Sequence, residues 1–235
     1  MRSFMPAASH LAQQHWNQTP LFLSEDERYR IYPWLYEAAE FRRHAGHKVL
    51  EVGCGTGCDL LQFALHGARA FGIDITEEHL RLARERIAGR AGVQAGLWYE
   101  VRYGDGREIP FADGAFDYVY SHGVMHHSDE PEKFAAEILR VLKPGGAFNV
   151  HVYAKYSAFA LKKFLWHGKN MALHIENSLE PVHIELYSAG MLQKIFGVPL
   201  IIEKYECRPF PKAWPRFEFM PSMLGWYLVA KGRKL

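Results

Sequence analysis

The stretch Lys48-Val49-Leu50-Glu51-Val52-Gly53-Cys54-Gly55-Thr56-Gly57 decides how this 235-residue chain is read. Its first five residues form a short apolar run with the look of a strand, and three glycines at alternate positions follow as a turn. Asp59 to His66 then carries an apolar helical face and is closed by Gly67. Glycine allows the tight strand-to-helix corner and lets a ligand approach the backbone. The spacing is G-x-G-x-G with Glu51 just ahead of it, whereas a dinucleotide turn is spaced G-x-G-x-x-G, and no glycine stands at Asp59 or Leu60.

Outward from this corner the same rhythm repeats. Ala70 to Ile75 reads as a second strand, and Thr76-Glu77-Glu78-His79 caps a helix running to about Ala88. Trp98 to Tyr103 and Phe116 to Ser121 read as further strands. Pro131 opens a helix that Lys143-Pro144-Gly145-Gly146 stops, and Ala147 to Tyr153 is a fifth strand. Strands alternating with helices at this spacing imply an α/β, doubly wound, mostly parallel sheet with helices on both faces. Upstream, Ser24-Glu25-Asp26-Glu27 caps a helix running towards Arg43, interrupted at Pro33 and ended by Gly46. Downstream, the alternation lapses between Ala154 and Tyr187, where Lys155 to Gly168 looks amphipathic and helical. Ser188 to Phe196 is a helix, and Val198–Tyr205 and Gly225–Lys231 read as two strands around a proline- and aromatic-rich loop from Arg208 to Pro221. The expected organisation is a helical cap over 1–46 and a main domain over 47–235 with a lid inserted at about 154–187.

Bulk composition narrows the function classes. The net charge is +2 with 23% charged residues and no Lys/Arg block, which argues against nucleic acid as a partner. No apolar run reaches the roughly 18 residues of a membrane span, and the N-terminus lacks a signal-peptide core, so a cytoplasmic protein is expected. Cys54, Cys58 and Cys207 make no disulfide framework and no plausible zinc set, and the thirteen histidines are scattered, so no metal is expected.

Four more segments carry chemistry. Asp74 ends the second strand, where an acid can accept from both ribose hydroxyls of a nucleoside, a role that fits NAD as well. Gly104-Asp105-Gly106 follows the third strand, and Asp105 there can accept from an adenine amine. Ser121-His122-Gly123-Val124-Met125-His126-His127 follows the fourth, and Arg140-Val141-Leu142-Lys143-Pro144-Gly145-Gly146 ends the helix after it.

In this order VLEVGCGTG, FGIDIT, GDGREIPFADGAFDYVYSHGVMHH and EILRVLKPGG resemble the class I S-adenosylmethionine-dependent methyltransferases. The resemblance is to the broad branch that includes the ubiquinone- and menaquinone-biosynthesis enzymes, and it covers about residues 47–153. It implies a seven-stranded sheet whose last strand is antiparallel, inserted by a hairpin. It also implies S-adenosylmethionine as cofactor and S-adenosylhomocysteine as product. Glu51 and the backbone of Gly53, Cys54, Gly55 and Gly57 would face the methionine part. Asp74 would hold the ribose, and Asp105 the adenine, with Gly104 beside it and Ile75 and Gly106 lining its faces. Ser121 and His122 would line the sulfonium end.

The remaining candidates come from the residues themselves. His126 and His127 are candidate bases, with packing as the alternative. Tyr29, Tyr32 and Trp34 either close over the cofactor or pack the cap on the sheet. Asp59 is either a first-turn acid favoured by the helix dipole or a ligand for the cofactor's ammonium. Phe159, Phe164 and Trp166, interleaved with Lys155, Lys162 and Lys163, suit a lid over an acceptor better than a membrane contact through 155–168. The expected function is methyl transfer to oxygen, nitrogen or sulfur of a small molecule, by a monomer or homodimer. The rivals are carbon methylation of a quinone-like or lipid acceptor, a non-catalytic cofactor-binding module, and a nicotinamide reductase.

Overall fold

The computed structural model describes residues 24–91, 96–167, 183–205 and 225–235. The first 23 residues, the middle of the expected lid and the loop from Arg208 to Pro221 lie outside the described residues, as does Cys207.

Seven strands form one sheet in the order β3-β2-β1-β4-β5-β7-β6: β1 Lys48–Val52, β2 Arg69–Asp74, β3 Trp98–Tyr103, β4 Phe116–His122, β5 Leu142–Tyr153, β6 Leu200–Tyr205 and β7 Tyr227–Arg233. The first five pair in parallel, and β7 is antiparallel to both β5 and β6. The order reverses between β1 and β4, so a crevice opens beyond their carboxyl ends, where ligands of such sheets bind. The predicted architecture holds, including the inserted antiparallel strand.

Alternation along the strands sorts the core into two layers. Leu50, Val52, Phe116, Val119, Val150 and Val152 pack with helix α5 (Pro131–Val141) and helix α7 (Ala189–Phe196). Val49, Ala70, Tyr118 and Tyr120 pack on the other face with helix α3 (Cys58–Leu65), helix α4 (Glu77–Ala91) and Phe41 of the cap. Each fully buried aromatic or aliphatic side chain there contributes about 1.5–3 kcal/mol by leaving water. Glu51 lies on the second face, between Val49 and the crevice.

Three sequence expectations change. The cap is not one interrupted helix but helix α1 (Glu25–Ile31), one turn α2 (Leu35–Ala38) and a 3₁₀ turn over Phe41–Arg43. Pro33 ends the first piece, and Glu40 adopts a left-handed conformation at φ 60° between the last two. The Ser24 hydroxyl caps α1 as expected, accepting from the Glu27 amide. The Lys143–Gly146 segment does not separate a helix from a strand. The strand begins at Leu142, opposite Phe116, and the four residues loop out before regular pairing resumes at Ala147 opposite Tyr118. Helix α6 of the expected lid starts later, at Ala158. Phe159 packs on Trp226 with ring centres 4.5 Å apart, while Phe164 and Trp166 are 52% and 77% exposed.

Candidate functional site

The glycine turn sits at the reversal point of the sheet. Gly53, Gly55 and Gly57 have φ of 75°, 49° and 79°, a region in which a Cβ is strained. Gly53 has a second reason to be glycine, since a Cβ there would lie 2.2 Å from Val124 Cγ2. Gly57 likewise faces Ala83. Gly55 differs: nothing lies within 4 Å of its missing Cβ, so this side of the turn is open.

The turn's amides are engaged inside the protein. Gly53 and Cys54 both donate to the Ile73 carbonyl, at 2.8 and 2.9 Å, and Gly57 donates to Cys54. Gly55 donates to Asp74 Oδ2 at 2.9 Å. A turn that cradles a pyrophosphate must aim such groups at the ligand. Cys54 turns its side chain away, with Sγ against Gly72, and both Cys54 and Cys58 are held as thiols because burial opposes the charged form.

Four acids surround the turn. Glu51 is 3% exposed, and its Oε2 is buried without a hydrogen-bond partner. Burial, then the nearby charge of Asp59, push its carboxyl well above the usual range. Asp59 is engaged with the cap. Arg28 donates to it through Nε at 2.7 Å and Nη2 at 2.5 Å, and the hydroxyls of Tyr29 and Tyr120 donate at 2.9 and 3.0 Å. Burial alone would raise its pKa, but the Arg28 charge and these bonds reverse the sign. The same geometry tethers Tyr29 of the cap to Asp59.

Asp74 accepts from Gly55 through one oxygen and from the Thr76 amide through the other, with His79 Nδ1 3.7 Å away. Gly104 donates to the Asp74 carbonyl, which brings the Gly104-Asp105-Gly106 corner beside β2. Asp105 is gripped by Arg107, whose Nη2 donates to Oδ2 at 2.8 Å and whose amide donates to Oδ1. These bonds hold the carboxyl low against the opposing effect of burial. Gly106 leaves room for Phe134, which a Cβ would meet at 2.1 Å. Ile75 is half-buried beside this corner.

The segment after β4 leans on the turn through Val124. The Ser121 hydroxyl is fully buried and donates to the Val52 carbonyl, so it stitches β4 to β1. His122 Nδ1 lies 2.9 Å from His151 Nδ1, and its ring stacks on Tyr227 at 5.0 Å. His126 is fully buried and stacks on Tyr153 at 3.8 Å, and burial lowers its pKa well below the ordinary value. His127 donates from Nδ1 to the His183 carbonyl at 2.9 Å, which ties this segment to the lid's return. Tyr32 and Trp34 of the cap meet His122 and Tyr227, and Trp34 stacks on Tyr205 at 4.6 Å.

The fold thus gathers Glu51, the glycine turn, Asp74, Asp105 and His122 at one end of the sheet. Sequence reasoning did not find Arg28, Tyr120, Arg107, His151, Asn149 or Tyr227. The arginines carried no motif, and the others sit inside strands, where period-2 burial reads as core. A separate cavity of about 370 Å³, lined by Ala154, Tyr156, Tyr187, Ser188, Ala189, Gly190, Lys204 and Leu228, contains none of the predicted site residues. Among the described residues no group of three or more His, Cys, Asp or Glu is arranged to hold a metal ion.

Comparison with known proteins agrees with this geometry. Residues 50–150 match the family model described as "Methyltransferase domain". The ubiquinone/menaquinone biosynthesis C-methyltransferase UbiE of Cupriavidus taiwanensis is 30% identical over 149 residues, which cover 59% of each protein. The chain spans from about a quarter to three fifths of the length of the curated relatives it matches. Among solved structures, an S-adenosylmethionine-dependent methyltransferase from Thermotoga maritima aligns with a TM-score of 0.63 at 19% identity, over 97% of this chain and 100% of that one. The [4+2]-cyclase SpnF aligns with a TM-score of 0.68 at 19% identity, over 97% of both chains. These likenesses establish the fold, and residues 50–150, somewhat under half of the chain, are similar to the methyltransferase domain family.

Proposed function

We propose that the chain transfers a methyl group from S-adenosylmethionine to a small-molecule acceptor bound under the cap and lid. The observation that carries this reading is the state of the glycine turn. Its amides at Gly53, Cys54, Gly55 and Gly57 are engaged by Ile73, Asp74 and Cys54, which leaves it poorly equipped for a pyrophosphate. The open side at Gly55 and the buried Glu51 Oε2 suit a ligand that presents a cation and no phosphate. That favours S-adenosylmethionine over a nicotinamide dinucleotide.

The cofactor supplies an electrophilic methyl group on a sulfonium. The residues supply the rest. In this reading Glu51 accepts from the cofactor's ammonium, Asp74 from the ribose, and Asp105 from the adenine while Arg107 fixes its orientation. Asp59 acts at one remove, by docking Arg28 and Tyr29 of the cap over the turn. Alignment and exclusion of water are the main demands of such a displacement, and a capped aromatic site meets both.

A carbon of a quinone-like ring is the second reading for the acceptor. It is favoured by the apolar wall of Tyr32, Trp34, Tyr205, Trp226 and Tyr227 and by the similarity to UbiE. Donor consumption measured against a panel of hydroxyl, amine, thiol and quinol acceptors tests the proposal. Methyl transfer that depends on one acceptor class supports it, and cofactor binding with no consumption on any acceptor would turn the assignment to a non-catalytic module.

A further inference from the structure

One polar chain joins the cap to the segment after β4. It starts at the Ala38 carbonyl in the cap, runs through Asn149 and His151 on β5, and ends at His122 on β4. Each link fixes the next. A carbonyl only accepts, so the Asn149 atom 2.7 Å from Ala38 O is Nδ2, and Oδ1 points the other way. That Oδ1 lies 2.9 Å from His151 Nε2, so Nε2 carries a hydrogen and donates. A neutral His151 then has its lone pair on Nδ1. His122 Nδ1, 2.9 Å away, is therefore the protonated nitrogen of its own ring. The chain leaves the lone pair of His122 on Nε2.

The surroundings keep both rings neutral. His151 and Asn149 are fully buried. Burial, then the charge of Arg28 and the neighbouring His151 and His126, lower His122 well below the ordinary histidine value. His151 is lowered to about 3 by burial, with Asp59, Lys231 and Arg28 as the charges in reach. Tyr32, Trp34 and Tyr227 are the other groups against the His122 ring, and Tyr120 lies against His151.

We propose that His122 is the general base for a planar acceptor bearing a hydroxyl, and that His151 and Asn149 are positioning residues that hold it in the Nδ1–H tautomer. The inference rests on the methyl-transfer reading above. His122 stands at the end of β4 beside the glycine turn, one residue from Gly123 and two from Val124, which fills the space over Gly53. Tyr32 and Trp34, both half-buried beside His122, offer an aromatic surface that favours a flat ring. For transfer to oxygen, a lone pair of the hydroxyl oxygen forms the new bond to the methyl carbon. The donor sulfur keeps the electron pair of the broken bond, and the hydroxyl proton passes to His122 Nε2 and then to water. Alkylation makes that proton strongly acidic, so a base of low basicity suffices.

The test combines two readouts on the full chain. With ¹⁵N-labelled histidine, NMR of the unaltered protein should show His122 protonated on Nδ1 and His151 on Nε2. Turnover is then measured with phenol, catechol and 1-naphthol as probes, beside calorimetry of S-adenosylhomocysteine. His122→Phe and His151→Phe should each lower kcat by about 100-fold or more, and in His151→Phe affinity for S-adenosylhomocysteine should stay within threefold. A His122 protonated on Nε2, or full turnover in His122→Phe, overturns the inference alone. S-adenosylhomocysteine binding with no transfer to any of the three probes overturns the acceptor class and with it the base. No S-adenosylhomocysteine binding by the unaltered protein overturns the methyl-transfer reading itself.

Discussion

Gly53 and Gly55 are two residues apart and share a left-handed backbone, yet they answer to different constraints. At Gly53 a methyl group would strike Val124, while at Gly55 it would enter open space. Gly53→Ala should therefore destabilise the protein by about 2–5 kcal/mol, from backbone strain plus overpacking. Gly55→Ala should cost only about 1–2 kcal/mol. Urea unfolding measures both. Calorimetry should show the opposite ranking for the ligand, with at least a tenfold loss of S-adenosylhomocysteine affinity in Gly55→Ala. Equal affinity in Gly55→Ala and the unaltered protein would remove the open side from the binding account. The glycines, Asp74 and Asp105 were legible in the sequence because they stand just past apolar runs, where a strand must end. Arg107 and the Asn149–His151–His122 chain were not, because their partners are set by strand pairing and side-chain direction rather than by spacing. Cys54 and Ser121 were legible as positions only: one turns into the β2 interface, and the other is engaged by the Val52 carbonyl.

The cap shows the same division among elements. Its first helix was announced by Ser24 and three acids, and its end by Pro33. The later break was not, because Glu40 is no turn residue and takes a positive φ only in this packed setting. The tie that docks the cap is the Arg28–Asp59 pair, with Arg28 19% exposed at its side chain and Asp59 not at all. Breaking one side of a buried pair leaves the other charge without compensation, so Arg28→Met should destabilise by about 3–5 kcal/mol. The double variant Arg28→Met/Asp59→Leu should recover most of that loss in thermal or urea unfolding. If the double variant is as unstable as the single, the pair is not the tie. On the other side of the site, helix α6 shows what periodicity alone leaves open. The periodicity marked a helix correctly, but of its large side chains Phe159 packs inward while Phe164 and Trp166 face out.

Across the whole molecule, alternating strands and helices were enough to give a parallel sheet, while the antiparallel insertion was implied by the family resemblance, which the late pair of strands suits. Strand boundaries moved by up to five residues, those of β1 and β3 not at all, because pairing partners decide where a ladder starts. The buried histidines have a collective consequence that no single motif announces. His44 is lowered to about 4 and His151 to about 3, and His122 and His126 also lie well below the ordinary value, all chiefly through burial. The unfolded chain takes up these protons near pH 6.5 and the folded chain does not. Stability is therefore complete above about pH 6.5 and falls as pH drops towards the lowered values, by about 1.4 kcal/mol per pH unit for each such group. The carboxylates held low, among them Asp105 and Asp117, add a second loss only below their ordinary range near pH 4. Unfolding free energy measured from pH 7 to 4.5 should show this decline, and His44→Phe, far from the site, should flatten it by close to one proton. A pH-independent stability over that range would contradict the buried neutral state of these rings.

The central claim is that the glycine turn holds S-adenosylmethionine and not a dinucleotide. Titration calorimetry of the full chain with S-adenosylhomocysteine and, separately, with NADH tests it most directly. The account predicts one-to-one binding of S-adenosylhomocysteine, weakened by Gly55→Ala, and no binding of NADH. Binding of NADH without binding of S-adenosylhomocysteine would contradict it.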